Sequence, residues 1–396
     1  MQQGIRKQIR QEYGIPDGPK PEKHLVIDGN SLLKRCFSAD KRKSGNGFEW
    51  GAVFQFLLQV KLVLKQYDFD YVCAFFDGKH SGYQRYKVYN GYKANREDKH
   101  YEEYRENKSE YERNMEAFCK RTLAYSRSKK ASESGSWNES ERESFDRQCD
   151  LLISILEELF IRTARFETVE GDDLVAYYTL HKKPQDKVVI MSGDRDLTQL
   201  ISPTVIIYDL NAPKGDRFIN SHNSVEKLGF THENTALIKT ICGDKSDNIG
   251  CITGFGGEDH ITLFKFFPEL KTEKKTINEV IDRAIEINNS KKSKFLQNLI
   301  EHKANGEYSG DPLAINSYLV DLSVPILTDE AKSEMDALQY APIDPEGRDI
   351  SNIKKMAYKY RLTDWLDDDA FGRFFGDFNK TISIEKRRFS DALKTS

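Results

Sequence analysis

Residues 188–200 read VVIMSGDRDLTQL. Four apolar residues, Val188 to Met191, run into Ser192, Gly193 and two aspartates, Asp194 and Asp196, before Leu197 and Leu200 resume an apolar pattern. A short continuous apolar run closed by turn residues reads as a strand buried on both faces, the kind found in parallel sheets. Two carboxylates just beyond its end need something to offset them. The stretch therefore bears on both the fold class and the place where chemistry occurs.

The same pattern recurs on either side. HLVIDGN (24–30), YVCAFFDG (71–78), FIRTARFE (160–167) and TVIIYDL (204–210) read as strands. FQFLLQVKLVLK (54–65) and DLVAYYTL (173–180) read as helices, as does 145–160, with apolar residues at 145, 149, 152, 153, 156, 159 and 160. Strands alternating with helices predict an α/β fold with a mostly parallel central sheet flanked by helices. No internal repeat is present. Residues 1–20 form a polar tail and 21–229 the α/β domain. Residues 230–300 follow with helices and a turn-rich hairpin, and 301–396 read as helical.

The interval 97–144 breaks the rhythm. It is charged, with Tyr104, Tyr111, Phe118 and Tyr125 at sevenfold spacing and Tyr101 and Met115 at offset positions. That spacing predicts one long helix with an aromatic stripe, reaching roughly 46 Å from 97 to 127 at about 1.5 Å per residue. A solvated insertion and a role over substrate both fit it. KKASESGSWNES (129–140) reads as a flexible link.

The chain has 396 residues and a net charge of −3, which argues against a surface devoted to nucleic acid. Six scattered cysteines without a CxxC pair, and eight histidines without ligand spacing, exclude a zinc site and a disulfide framework. The N-terminus is polar, and no apolar run reaches the ~18–20 residues that span a bilayer. A cytoplasmic chain with no membrane partner is expected.

In a parallel sheet all carboxyl ends share one edge, where ligands bind. Asp28 closes the first strand, Asp77 the second, and Asp194 follows 188–192. VEGDDL adds Glu170, Asp172 and Asp173 at a helix start; Asp196, and Asp244 and Asp247 in GDKSDN, bring the set to nine. Any one aspartate at such a position can be a helix cap or turn former. Nine cannot gather without cations, because like charges repel at short range. Oxygen donors without Cys or His select hard ions: Mg²⁺, with Mn²⁺ able to substitute. Two such ions ~3.5–4 Å apart suit phosphodiester hydrolysis.

Residues 79–96, KHSGYQRYKVYNGYKANR, hold cations and no acid, with tyrosines at 83, 86, 89 and 92. Lysine or arginine beside aromatic rings suits single-stranded nucleic acid: Lys79, Tyr83, Tyr86, Lys87 and Arg96 are candidate contacts. At least two of the tyrosines are expected to pack on the body. Setting the nine acids aside turns −3 into +6, so an acidic pocket in a basic surface is consistent with the charge. GDKSDNIGCITGFGG (243–257) reads as a hairpin between helices. Its Gly254, Gly256 and Gly257 can bring backbone N–H groups to a phosphate without reading sequence. A structural hairpin explains the glycines nearly as well.

These pieces resemble the 5′-nuclease superfamily, which includes flap endonucleases, the 5′-exonuclease domain of bacterial DNA polymerase I and phage enzymes; the resemblance points to an enzyme like the RNase H of T-even phages. The matching pieces are LVIDGN, FFDGKHSGYQRYKVYNGYKANR, VEGDDL, VVIMSGDRDLTQL and ICGDKSDNI, in the family's order over roughly 24–250. The resemblance implies a PIN-like 5′-nuclease fold with a helical arch at about 79–144, a helical hairpin module and a helical C-terminal region. It implies that Asp28, Asp77, Glu170, Asp172, Asp173 and Asp194 surround a first Mg²⁺, and that Asp196, Asp244 and Asp247 hold a second. It implies catalytic positions for Arg85, Tyr92 and Lys93 near the scissile phosphate. The implied activity is a 5′-to-3′ exonuclease, flap endonuclease and RNase H that removes RNA primers in DNA replication. The implied partners are DNA and RNA–DNA hybrid with a 5′ flap, nick or fork.

Three departures stand out. Glu258 and Asp259 follow Gly256-Gly257 where the family commonly has a lysine, which weakens the expected phosphate grip and any K⁺ site; the arch region is longer; and extra sequence lies at both ends. A monomer is expected. The basic segment KRRFSDALK (386–394) is a candidate dock for a sliding clamp or single-strand-binding protein. Asp194 and Asp196, two apart, would share a face of an extended segment with Arg195 turned away. Two other readings stay open: a non-catalytic junction-binding protein on the same fold, and a Mg²⁺-dependent phosphatase acting on small molecules.

Overall fold

Side chains along the strands alternate between two cores, so the sheet is covered on both faces. The computed structural model describes residues 20–93, 139–257 and 260–394, without the side chains of residues 139, 140 and 142. The N-terminal tail, most of the arch, Arg96, Glu258 and Asp259 lie outside the described residues. Six strands form one sheet in the order β3-β2-β1-β4-β5-β6. They are β1 (Lys23–Asp28), β2 (Tyr71–Phe75), β3 (Arg162–Ala164), β4 (Lys187–Ser192), β5 (Val205–Asp209) and β6 (Phe218–Ile219). All pairings are parallel except β5 with β6.

The helices in chain order are α1 (Gly29–Ala39), α2 (Gly51–Gln66), α3 (Tyr83–Val88), α4 (Glu139–Glu158), α5 (Gly171–Leu180), α6 (Ser224–Leu228) and α7 (Thr235–Cys242). Then come α8 (Ile261–Phe266), α9 (Ile277–Ser290), α10 (Lys294–Ile300), α11 (Pro312–Val320), α12 (Asp329–Tyr340), α13 (Ile350–Tyr360), α14 (Asp368–Phe375) and α15 (Asn379–Leu393). Among the described residues, no helix is long and apolar enough to cross a membrane.

Leu25 and Ile27 of β1, Val72 and Ala74 of β2 and Met191 of β4 face the core made with α1, α2, α4 and α13–α15. Val26, Cys73, Phe75, Val188 and Ile190 face the opposite core, made with α5 and α12. This period of two explains why the strands read as continuous apolar runs. Trp365 stacks edge-on against Trp50 at 4.8 Å, so the C-terminal helices complete the core over α2. Each such fully buried large side chain contributes about 1.5–3 kcal/mol. A third core, around Phe255, Phe267 and Leu296, holds α7 to α10 together.

The sequence run 160–167 yields only three strand residues. Phe160 takes a left-handed φ of 58° ahead of the strand, and the chain turns after Ala164. β1 and β4 are neighbours at the point where strand order reverses, so the loops after them open a crevice at the sheet's carboxyl edge.

Candidate active site

Asp28 and the residues after β4 form the floor of this crevice. Asp28 Oδ1 accepts the Ser31 N–H at 2.9 Å and so caps α1. Its Oδ2 accepts the Ser192 hydroxyl at 2.6 Å, and that same hydroxyl oxygen accepts the Asp194 N–H at 2.8 Å. The cap and the site reading of Asp28 are thus compatible. Burial, with Asp194 and Asp77 nearby, pushes the Asp28 carboxyl up to about 6. Asp77 follows β2; its Oδ1 accepts the Gly171 N–H at 2.8 Å, and Asn30 Nδ2 donates to its Oδ2. Gly78 next to it has no room for a side chain, because a Cβ would sit 1.7 Å from the Phe166 carbonyl oxygen.

Asp172 stands in the first turn of α5. Burial and then Asp28, Asp194, Asp77 and Glu170 raise its pKa well above the carboxylate range. Among the described residues none forms a hydrogen bond or ion pair with it. Asp172 thus lies near four other acids, and among the described residues it has no counter-ion. Glu170, by contrast, is compensated. It accepts from Lys93 Nζ at 2.6 Å and from the Tyr92 hydroxyl at 3.1 Å, and lies 3.1 Å from Arg85 Nη1. Despite burial, Lys93 and Arg85 hold it down to about 2.

Asp196 and Asp244 form a second acidic pair. Lys239 of α7 contacts Asp196 Oδ1 and lies 2.6 Å from Asp244 Oδ2. Despite burial, that ammonium holds Asp244 down to about 2, whereas burial and Asp194 push Asp196 up to about 7 against its pull. Negative charge here exceeds what one lysine offsets.

Several expected roles change. Asp173 turns away from the cleft: both its oxygens accept from Arg85, at 2.5 and 3.1 Å, and one also accepts the Ile326 N–H at 2.9 Å. Arg85 is buried, with its Nε on the Leu319 carbonyl at 2.9 Å, so it braces acids instead of facing a phosphate. Tyr92 is buried; burial and then Glu170 and Asp247 keep it a phenol, which donates to both. Asp247 lies beside Tyr92 (3.3 Å) and Lys93 (4.0 Å). Tyr83 and Tyr89 are also buried, Tyr89 stacked on Tyr308 at 4.9 Å, so neither offers a ring to a base.

The segment 194–196 is not extended. The Asp196 N–H bonds back to Asp194 Oδ1 at 2.8 Å, Arg195 has helical dihedrals, and a 3₁₀ turn begins at Asp196. The two carboxylates are separated by a turn rather than by the pleat. Gly254 has φ +100° and a Cβ there would sit 2.1 Å from Phe295, so packing and backbone both require this glycine. Gly256 abuts Cys251, while Gly257 has open space around it.

Lys79, Lys87 and Arg195 are exposed and Tyr86 is half-buried. Asn30, Lys34 (3.6 Å from Asp77 Oδ2) and Lys239 were not singled out from sequence. Asn30 follows Asp28 by two residues and Lys34 follows one helical turn later, a spacing that could have marked them. Lys239 carried no comparable signal. Among the described residues, no three acidic, His or Cys side chains converge as a ready coordination sphere. Like charges stay spread, and Lys93, Arg85 and Lys239 hold them in place. The donor chemistry, all carboxylate oxygen with Asp172 uncompensated among the described residues, is that of a hard divalent cation.

Comparison with known proteins follows the same lines. A family model described as 5′-3′ exonuclease, N-terminal resolvase-like domain, matches residues 23–229. The chain is 34% identical to a DNA polymerase I of Synechocystis over 143 residues, which cover 34% of this chain and 14% of that one. It is 25% identical to DNA polymerase I of Bacillus caldotenax over 264 residues, 65% of this chain but only 25% of the polymerase. It is 30% identical to a 5′-3′ exonuclease of Buchnera aphidicola over 159 residues, 38% and 54% of the two chains. Among solved structures, T5 5′-exonuclease with bound divalent metal ions (zinc) superposes with a TM-score of 0.53 at 18% identity, covering 90% of this chain and 98% of that one. The T5 D15 flap endonuclease in a complex with DNA and metal ions gives 0.52 at 18%, covering 92% and 99%. At these identities the two structures speak for a shared 5′-nuclease fold. The family match spans the whole sheet and the strand ends that carry Asp28, Asp77 and Asp194, and the chain belongs to the 5′-3′ exonuclease family.

Proposed function

We propose that this chain is a Mg²⁺-dependent, structure-selective 5′-nuclease that cuts RNA–DNA hybrids and flapped or nicked DNA during replication. The observation that carries it is Asp172, uncompensated among the described residues and facing Asp28, Asp77, Asp194 and Glu170 at the sheet's carboxyl edge. Asp28, Asp77, Asp172 and Asp194 would hold one Mg²⁺, and Asp196 and Asp244 a second; Mn²⁺ offers the same preference for oxygen. When bound, the ions supply charge stabilisation and an activated water for in-line phosphodiester hydrolysis.

The protein's own groups position the strand. Lys93 Nζ lies between Glu170 (2.6 Å) and Asp247 (4.0 Å), at the cleft margin where a phosphate oxygen can reach it. Arg85 and Tyr92 are positioning residues: they fix Glu170, and Tyr92 ties it to the 243–250 loop through Asp247. Lys79, Lys87 and Arg195 supply exposed positive charge at the rim for phosphates. The helices around the third core, with the Gly254–Gly257 hairpin, form the duplex grip, so selection is by junction shape.

The test uses a 5′-labelled RNA primer and a 5′ DNA flap, each beside a nick, in Mg²⁺ and in EDTA. Short 5′ products in Mg²⁺ alone are expected. Asp28→Asn and Asp194→Asn should lower the rate by roughly two orders of magnitude or more, the scale on which one transition-state charge partner acts, with flap binding retained. Tight flap binding without products would assign a junction-binding role instead.

A further inference from the structure

The two acidic groups differ in one respect: the first has a member without a counter-ion, and the second has one built in. Lys239, in the last turn of α7, reaches both Asp196 and Asp244, which come from separate parts of the chain. The remaining oxygen of Asp244 is committed to its loop, accepting the Ser246 N–H at 2.8 Å and its hydroxyl at 2.6 Å. The loop closes on itself through paired backbone bonds between Asp244 and Ile249, at 3.0 and 2.8 Å. The ammonium therefore touches Asp196 Oδ1 and the one Asp244 oxygen that Ser246 leaves uncommitted.

We propose that Lys239 is a resident counter-ion of this pair, occupying the oxygens that a second divalent cation takes. The second cation then binds only by displacing the ammonium, and binds more weakly than the first, where Asp172 has no lysine to displace and the one lysine beside Asp77, Lys34, is half exposed at 3.6 Å. The inference rests on the metal-dependent reading above. It also gives the site a resting state, in which Lys239 joins the turn after β4 to the 243–250 loop before substrate and metal arrive.

Mn²⁺ titration of the full chain, followed by electron paramagnetic resonance and calorimetry, tests it against Lys239→Met, which keeps the aliphatic stem and drops the charge. Wild type should show a tight and a weak class. In Lys239→Met the weak class should tighten at least about tenfold, equivalent to about 1.4 kcal/mol, with the tight class unchanged. In EDTA the same variant should melt at a lower temperature than wild type, and Lys239→Arg should restore both values. If Lys239→Met fails to fold by circular dichroism, Lys239→Gln carries the same comparison. An unchanged or weakened second class overturns the counter-ion role alone. A wild-type chain that binds no Mn²⁺ overturns the metal-dependent reading and this inference with it.

Discussion

Burial, and then Asp28, Asp194, Asp77 and Glu170, oppose ionisation of Asp172, and among the described residues nothing offsets that opposition. Asparagine has the same shape without the charge. Asp172→Asn should therefore raise stability in EDTA at neutral pH by on the order of 1 kcal/mol, because the fold no longer has to suppress that ionisation. It should also lose most of the gain in melting temperature that Mg²⁺ gives wild type, since a ligand stabilises the state it binds. Thermal melts with and without Mg²⁺ measure both, and an undiminished Mg²⁺ gain would remove Asp172 from the site. The acids were legible in sequence because a carboxylate at the end of an apolar run stands out. Their partners were not. Arg85 and Asp173 lie on separate elements, and only packing reveals that their charges cancel each other in the interior. Tyr83 and Tyr92 look like stacking rings in a basic stretch, yet neighbours far along the chain bury them.

At the scale of elements, the α/β alternation was readable because β1, β2 and β4 are apolar on both faces and the helices packed on them on one. Loop geometry was less so: the turn at 194–196 is set by a side chain bonding its own backbone, which a period-two argument misses. Nor does composition show what α15 does. Its basic run suggests a docking tail, but Glu385 is buried and forms a bidentate pair with Arg162 of β3, at 2.5 and 3.0 Å. Arg388 stacks over Tyr71 at 3.6 Å and pairs with Glu22 at 3.1 Å. Removing one partner of a buried pair strands the other, so Glu385→Ala should cost about 3–5 kcal/mol, while the double change Arg162→Met with Glu385→Leu should be close to neutral. Urea denaturation of the three proteins checks this. A small loss in the single variant would mean that water reaches Arg162 once α15 is altered.

Taken as a whole, the molecule stores charge at both edges of its sheet, and the two edges respond to acid in opposite directions. At the carboxyl edge, Asp28 is raised to about 6, so its burial opposes folding at neutral pH and the opposition fades as the carboxyl protonates. At the amino edge, His24 of β1 is fully buried, with Nδ1 2.8 Å from the Tyr178 hydroxyl and Nε2 3.3 Å from Asp186. Burial outweighs the attraction of Asp186 and lowers the imidazole to about 4, from an ordinary value of 6.5. An unfolded chain thus takes up a proton at His24 before the folded one does. The neutral ring's contribution is intact above pH 6.5 and is lost as pH falls toward 4. The difference is worth about 3 kcal/mol at about 1.4 kcal/mol per pKa unit. His24→Gln retains polar atoms and does not titrate, so the comparison isolates His24 from the carboxylates. Urea stability of the two proteins in EDTA, stepped from pH 7 to pH 4, should show wild type losing about 3 kcal/mol more than the variant. Parallel profiles would mean that Asp186 offsets the burial and leaves His24 at its ordinary value, and a wild type that gains on the variant as pH falls would mean that Asp186 keeps His24 charged in the fold, a buried ion pair like that of Arg162 and Glu385.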